Sequence, residues 1–455
     1  MQKWHPRALI YPKLISAKQR RLKLSPPSVL LLGFLILISL GTLLLLSPLA
    51  TTEPISFIQA LFTATSAVTV TGLVVVDTGT VFTTFGLVVI ASLIQVGGLG
   101  FMTFAVLGAL ALGSRLGIGQ QKIAQEAFGE TSLDRLGDIA KAVVVFSLII
   151  ELFGVIALTF IWFNELGFMK AIGHALFYTV SAFNNAGFAL ASDSLTQYAG
   201  SLPINLIISG LFILGGIGFL VVLDFWEKRK WQTLSANSKL IIKATLYVNI
   251  LAWALIWLLE FDNQGTLGNM ALADQAIAAW FQAVTPRTAG FNSIPIENLK
   301  DSTTVFMMLL MFIGGGSLST ASGVKLGTFI LLILATWSFL KRESDIVLYG
   351  RKVPELSVIK ALSLTFISII LVFFGIFGIV LSQNVDFLDG AFEVVSALST
   401  VGLSRGITSS LTPAGEFILI ALMVIGRVGP LTAAYLLATA TRKRLKYPEG
   451  EFQVG

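Results

Sequence analysis

Long apolar runs, separated by short polar or basic segments, set the rhythm of this chain. A helix needs about 20 apolar residues to cross a hydrocarbon core of roughly 30 Å. Eight runs meet that need, at approximately 28–50, 82–112, 138–163, 204–226, 239–261, 303–338, 357–383 and 415–440. Between the first and second, third and fourth, fifth and sixth, and seventh and eighth lie apolar segments too short to cross. Phe62 to Leu73 contains Thr69-Val70-Thr71-Gly72-Leu73, and Phe177 to Phe188 ends Asn184-Asn185-Ala186-Gly187-Phe188. Trp280 to Phe291 ends Thr285-Pro286-Arg287-Thr288-Ala289-Gly290-Phe291, and Phe392 to Leu403 ends Thr400-Val401-Gly402-Leu403. In each, an aromatic lies ten residues before a glycine and a large apolar residue follows it. The glycines are spaced by 115, 103 and 112 residues, a period that reads as one unit repeated four times.

The pattern predicts an all-α membrane protein, with eight transmembrane helices in four span–pore-loop–span repeats around one pseudo-fourfold pore. The repeats are expected at 28–112, 138–228, 239–340 and 357–440, between cytoplasmic tails at 1–27 and 441–455. Four short re-entrant segments can surround one axis, where backbone carbonyls replace an ion's hydration shell. Glycine permits the positive φ that such a turn demands. Non-helical backbone at membrane depth is tolerated where it lines a cavity or is buried in protein.

Composition agrees: 55% of the 455 residues are hydrophobic and 12% charged, with mean hydropathy +0.85, against about 25% charged in soluble domains. There is no cysteine, and the histidines are His5 and His174. That excludes disulfides, thiol chemistry and a conventional zinc site. No cleavable signal is evident, so the first apolar run reads as a retained helix. Of the 31 Lys and Arg, 25 fall in the N-terminal segment, the inter-repeat loops with their flanks, and the C-terminal segment. The opposite side holds Lys170, Arg287, Lys300 and Arg405. That bias places both termini in the cytoplasm, with the pore segments entering from outside. The basic N-terminus is read as a cytosolic anchor beside the bilayer, and no nucleic-acid partner is expected. The outer loops carry Glu53, Asp77, Asp193, Asp262, Asp274, Glu297, Asp386 and Asp389. They are either a cation-concentrating vestibule or ordinary solvated turns.

The two remaining cations, Lys325 and Arg427, fall inside spans. They sit in a second repeated feature, a glycine cluster 25, 28, 24 and 24 residues after each pore glycine. The clusters begin Gly97-Gly98, Gly215-Gly216, Gly314-Gly315 and Gly426-Arg427. In repeats 1 and 2 they read as small residues that let helices approach closely. Repeat 3 departs: Gly314, Gly315, Gly316, Ser317, Leu318, Ser319, Thr320, Ala321, Ser322, Gly323, Val324 and Lys325 cannot make a firm helix. That run is read as an intramembrane loop that occludes the pore. Arg427 stands where repeats 1 and 2 have Gly98 and Gly216, and is expected to donate to the loop's carbonyls. The other reading of both cations is snorkelling to the cytosol. Glu151, inside the third span, has no evident partner and is taken as structural.

These features together resemble the Trk/Ktr/HKT superfamily of potassium transporters over nearly all of 28–440. The short chain without additional N-terminal spans points to the bacterial Ktr-type membrane subunit, and Thr285 to Phe291 is the most specific match. The resemblance implies a potassium site lined by Gly72, Gly187, Gly290 and Gly402. Glycine rather than serine at the first position points to potassium over sodium. Val70, Thr71, Asn185, Ala186, Thr288, Ala289, Thr400 and Val401 would supply further carbonyls. It also implies a homodimer in the bacterial cytoplasmic (inner) membrane, docked on a cytosolic ring of nucleotide-binding regulatory subunits. The chain itself has neither a Walker A sequence nor G-x-G-x-x-G. Some systems of this type depend on sodium, for which these residues offer no place.

Two other classes compete. A secondary transporter of another small solute, working by alternating access, predicts two inverted repeats and mid-membrane charges at its site. A membrane enzyme needs a convergent acid–base cluster. Four parallel repeats disfavour the first, and scattered histidines without such a cluster disfavour the second. No cofactor is expected, and the resemblance implies potassium as the substrate.

Overall fold

The structure, a computed structural model, describes residues 26–112, 136–343 and 345–437. Most of the expected N-terminal tail, the basic loop 113–135 and the C-terminal tail lie outside the described residues.

Among the described residues the regular elements are helices, apart from one hairpin of two two-residue strands. Helix α1 (Pro26–Leu45) packs on α2 (Phe57–Thr69) and α4 (Thr84–Leu112), with the single turn α3 (Thr78–Val81) between. Next come α5 (Leu136–Leu166), α6 (Phe168–Phe183), α7 (Leu202–Gly216) and α8 (Phe219–Lys228). Then follow α9 (Ala236–Glu260), α10 (Leu272–Val284), α11 (Asp301–Phe312) and α12 (Leu326–Leu340). Strands β1 (Val347–Leu348) and β2 (Arg351–Lys352) pair antiparallel, a hairpin with no signature in the hydropathy pattern. Last are α13 (Glu355–Ser382), α14 (Phe387–Ser399), α15 (Pro413–Val428) and α16 (Pro430–Leu437).

Local chemistry starts several of these helices. Ser56 and Gln59 close a reciprocal capping box on α2. Ser235 caps α9, Asp386 caps α14, and Thr412 caps α15 one residue before Pro413. The four short helices α2, α6, α10 and α14 bury their C-terminal halves. Phe62, Phe177 and Phe392, ten residues before the glycines, are buried, while the half-buried Trp280 donates its indole N–H to Ser209 Oγ. The units pack in cyclic order, α4 on α6, α7 on α10, α11 on α14, and α15 back on α2.

Three described helical segments are long and apolar enough to cross a membrane: Lys141–Leu166, Ala236–Glu260 and Glu355–Ser382. The pair α7 and α8, bent by 92°, makes a fourth if taken as one span. Their outward faces are apolar, as at the exposed Phe153, Phe160, Phe366 and Phe373. Besides 303–338, whose interruption is expected, two expected spans are not continuous helices, for physical reasons. At 204–226, Gly218 takes φ 107° and frees Phe219 N–H to donate to Leu318 O at 2.9 Å. The repeat 2 cluster is therefore a break as well as a packing surface. At 415–440, Gly429 takes φ 97° and Pro430 starts a new helix.

Candidate functional site

Each short helix ends in the same local geometry. The residue two before the glycine has left-handed backbone: Val70 (φ 57°), Asn185 (61°), Thr288 (72°) and Thr400 (48°). The glycines follow with φ 95°, 69°, 81° and 93° at Gly72, Gly187, Gly290 and Gly402. Left-handed backbone at a non-glycine residue costs about 1–3 kcal/mol, so the surroundings must hold these turns. Hydroxyls contribute in every repeat. Ser66 Oγ accepts from Gly72 N–H at 3.0 Å, and Ser396 Oγ from Gly402 N–H at 3.1 Å. In the other two repeats Ser181 Oγ donates to Phe188 O at 2.8 Å and Thr285 Oγ1 to Phe291 O at 2.5 Å. Backbone bonds repeat too, from Thr71 N–H to Ser66 O, Ala186 to Ser181, Ala289 to Thr285 and Val401 to Ser396.

The four turns meet. A Cβ on Gly72 would overlap Ala186 O, and one on Gly290 would overlap Val401 O. On Gly402 it would overlap Thr71 O, and on Gly187 it would lie 2.9 Å from Ala289 O. Thus the carbonyl preceding each glycine abuts the glycine of the neighbouring unit, in the cyclic order 72, 187, 290, 402. The same built Cβ atoms come within 3.1 Å of Gly187 Cα (from Gly72), 2.7 Å of Gly290 Cα (from Gly187) and 2.9 Å of Gly72 Cα (from Gly402). No side chain fits at any of the four positions. A cavity of about 430 Å³ opens on the ring and is lined by all four glycines with Asp77, Asp193 and Glu297. The other outer acids sit elsewhere: Asp262 pairs with Lys300, Asp389 with Arg405, and Asp386 caps α14.

On the other side, the segment from Gly314 to Lys325 is irregular but bonded throughout. Gly314 N–H donates to Val324 O at 2.9 Å and Leu326 N–H to Gly315 O at 3.0 Å, closing the segment on itself. Gly316 N–H donates to Gly216 O at 2.8 Å, tying it to the break after α7. Gly323 takes φ 70°, Ser317 is exposed, and Lys325 Nζ donates to Ala321 O at 2.5 Å. Thr320 Oγ1 donates to Asn185 Oδ1 at 2.8 Å, two residues before Gly187. Arg427, buried, donates Nη1 to Thr320 O and to Ser322 Oγ (3.3 Å), and Nη2 to Gly97 O (2.8 Å) and Gly98 O (3.2 Å). One guanidinium therefore joins the loop to α4.

Several residues here carry no signal in the sequence. Glu151 does have partners, correcting its reading as isolated: Gln95 Nε2 donates to both carboxylate oxygens at 2.9 and 3.1 Å, and Asn184 Nδ2 to one at 3.3 Å. Tyr178 and Glu393, each nine residues before a glycine, accept from the N–H groups of Leu190 and Arg405, each three residues after it. Arg287, in the third pore segment and counted above on the outer side, is buried against α9, donating to Asn249 Oδ1 at 2.8 Å and Thr245 Oγ1 at 3.5 Å.

Known proteins resemble this chain over nearly its whole length. The family model described as "TrkH: Cation transport protein" matches residues 28–443. A Bacillus subtilis protein named Ktr system potassium uptake protein B is 45% identical over 95% of this chain and 97% of its own length. The Enterococcus hirae potassium/sodium uptake protein NtpJ is 33% identical over 97% of this chain and all of its own. In fold, the crystal structure of the potassium transporter TrkH from Vibrio parahaemolyticus superposes with TM-score 0.74, covering 92% of this chain and 86% of that one at 23% identity. With a family model matched across the helical body and relatives aligned over nearly its full length, this chain belongs to the TrkH family of cation transport proteins.

Proposed function

We propose that this protein takes up potassium across the bacterial cytoplasmic membrane, through a pore on the axis of the four glycines. The observation that carries the reading is the cyclic approach of Gly72, Gly187, Gly290 and Gly402 to the carbonyls of Ala186, Ala289, Val401 and Thr71. Such oxygens replace the hydration shell of a large monovalent cation. Val70, Asn185, Thr288 and Thr400 hold the left-handed turns that aim the neighbouring backbone inward. Asp77, Asp193 and Glu297 raise the local cation concentration outside the ring. Eight spans in four repeats, with termini in the cytoplasm, accommodate this pore, and the positive-inside bias supports that orientation. The segment from Gly314 to Lys325, held by Arg427 through Thr320 and Ser322, is the gate. The protein works as a homodimer on a cytosolic nucleotide-binding ring, which supplies the nucleotide sensing that no sequence motif here provides. Sodium is a second ion in this reading, motivated by the potassium/sodium relative, with no site assigned.

The experiment is potassium uptake in a potassium-transport-deficient bacterium, for wild type and Gly290→Ser side by side. Growth restored at low potassium, then lost or weakened by the serine, is the expected result. Absence of uptake by wild type, with a ring partner co-expressed, would return the question to another solute. A serine variant as active as wild type would remove the filter assignment. Deleting the middle of 314–325 is expected to raise flux, and unchanged or lower flux counts against the gate.

A further inference from the structure

Two arginines are buried among the described residues, Arg427 at 6% and Arg287 at 8% exposure. The Nε of each finds no acceptor among the described residues. Their surroundings otherwise differ. Arg427 spreads its two Nη groups over three backbone carbonyls and a hydroxyl. Arg287 donates to two side-chain oxygens, Asn249 Oδ1 and Thr245 Oγ1, the second at a long 3.5 Å. No ion pair to Arg287 is present among the described residues. It also borders a cavity of about 20 Å³, lined further by Thr245, Asn249, Gly216, Ile217 and Gly315.

A buried charge without a counter-charge is strongly unfavourable. The C-terminal end of α10, just before Arg287, offers about half an elementary negative charge, which offsets part of it. A single water needs roughly 10–15 Å³ of such space, so the cavity takes one small species. Water there would leave the charge uncompensated. We infer that the cavity is a binding site for one small monovalent anion of halide size, held by Arg287 with Thr245 and Asn249. Sulfate, phosphate and gluconate are too large for it. An anion there would brace Gly315 of the loop against the break at Gly216–Ile217. It would also neutralise a cation three residues before Gly290. That consequence for uptake rests on the filter reading, whereas the binding does not.

The test uses the full-length purified protein and does not require transport. Thermal unfolding midpoints are measured in potassium chloride, bromide, gluconate and sulfate at matched ionic strength. A saturable rise is expected with chloride and bromide and not with the larger anions. Thr245→Val, which removes one hydroxyl at nearly constant shape, should raise the half-saturating chloride about threefold, and Arg287→Gln should abolish the rise. Crystals soaked in bromide should show an anomalous peak beside Arg287. If Arg287→Gln does not fold, Thr245→Val and the bromide peak decide. Equal midpoints in all four salts, an unchanged half-saturation in Thr245→Val, or no bromide peak at Arg287 would overturn the site. Failure of Gly290→Ser to affect potassium uptake would overturn the filter and leave these outcomes untouched.

Discussion

At the glycine ring the four repeats reach the same backbone turn by closely related means. A short helix ends, one residue turns left-handed, a hydroxyl fixes the turn, and a glycine gives way to the neighbouring carbonyl. One layer further in, the four second spans part company. Helix α4 runs unbroken through Gly97 to Gly100, and α7 and α8 meet at 92° around Gly218. Helix α11 gives way to the loop from Gly314 to Lys325, and α15 stops at Gly429. The cluster glycines mark where the symmetry fails. A Cβ on Gly97, Gly215 or Gly426 would overlap the carbonyl of Val68, Phe183 or Leu398, each four residues before its own ring glycine. In repeat 3 a Cβ on Gly314 would instead overlap Ser322 O, within the loop. A site that coordinates a spherical ion rewards four equal contributions. In the proposed reading a barrier that must move is best built in one repeat, and the loop from Gly314 to Lys325 is the longest irregular stretch among the four second spans.

The comparison breaks first at the ring. Gly402→Ala puts a Cβ onto Thr71 O and 2.9 Å from Gly72 Cα, at φ 93°. Strain of about 1–3 kcal/mol at such a φ adds to the overlap, so potassium uptake should fall on the order of 100-fold. Equivalence of the repeats predicts a similar loss for Gly72→Ala. Uptake rates in the potassium-deficient host check both, and retained uptake in either variant separates that repeat from the ring.

Arg427→Gln tests the asymmetric layer and should act in the opposite direction. It removes donors from the carbonyls of Thr320, Gly97 and Gly98, so the loop loses its tie to α4. Flux at saturating potassium should rise several-fold. The thermal midpoint should fall, because each buried acceptor left unpaired costs about 1–3 kcal/mol. A lower midpoint with unchanged flux would make Arg427 a brace and not a latch.

Ser66→Ala sharpens the comparison within the ring. It deletes the acceptor of Gly72 N–H, where Ser181→Ala deletes a donor to Phe188 O. Each loss is worth about 0.5–1.5 kcal/mol, so half-saturating potassium should rise roughly two- to tenfold, measured from uptake against concentration. A larger effect for Ser66 than for Ser181 would show that tying the glycine's own N–H matters more than tying the residue after it.

The repeated ring was legible in the sequence because glycine is the one residue whose absence of Cβ is itself the signal, and four recur at intervals of 103 to 115 residues. The resemblance named Val70, Asn185, Thr288 and Thr400 as sources of carbonyls, but they share no chemistry that marks left-handed backbone, so that conformation was not legible. Glu151 looked isolated because Gln95 and Asn184 lie 56 and 33 residues away in sequence. The partners of Arg287 were not legible, since Asn249 and Thr245 lie 38 and 42 residues away in sequence. The loop at 314–325 was legible from propensity alone. The break at Gly218 was not, since its cause is an acceptor on Leu318, a hundred residues on.

The smallest effect is expected at the outer surface, where Lys300 Nζ lies 2.5 Å from Asp262 Oδ1. The ammonium holds this carboxyl below its ordinary value. A depressed carboxylate contributes stability above its unfolded-state pKa of about 3.9 and loses it as pH falls through the folded-state value. Asp262→Asn should therefore lower the thermal midpoint slightly at neutral pH and low salt. The gap to wild type should close in acid and in high salt, since exposed pairs are screened. The same junction is held more firmly by Glu260, which is fully buried and accepts from Asn263, Thr266, Thr303 and the backbone N–H of Lys300. Glu260→Gln should cost more than Asp262→Asn, because it turns an acceptor saturated by donors into an amide that brings donors of its own. If the surface variant proved the more damaging, the junction between α9 and α11 would be held by its salt bridge and not by the buried carboxylate behind it.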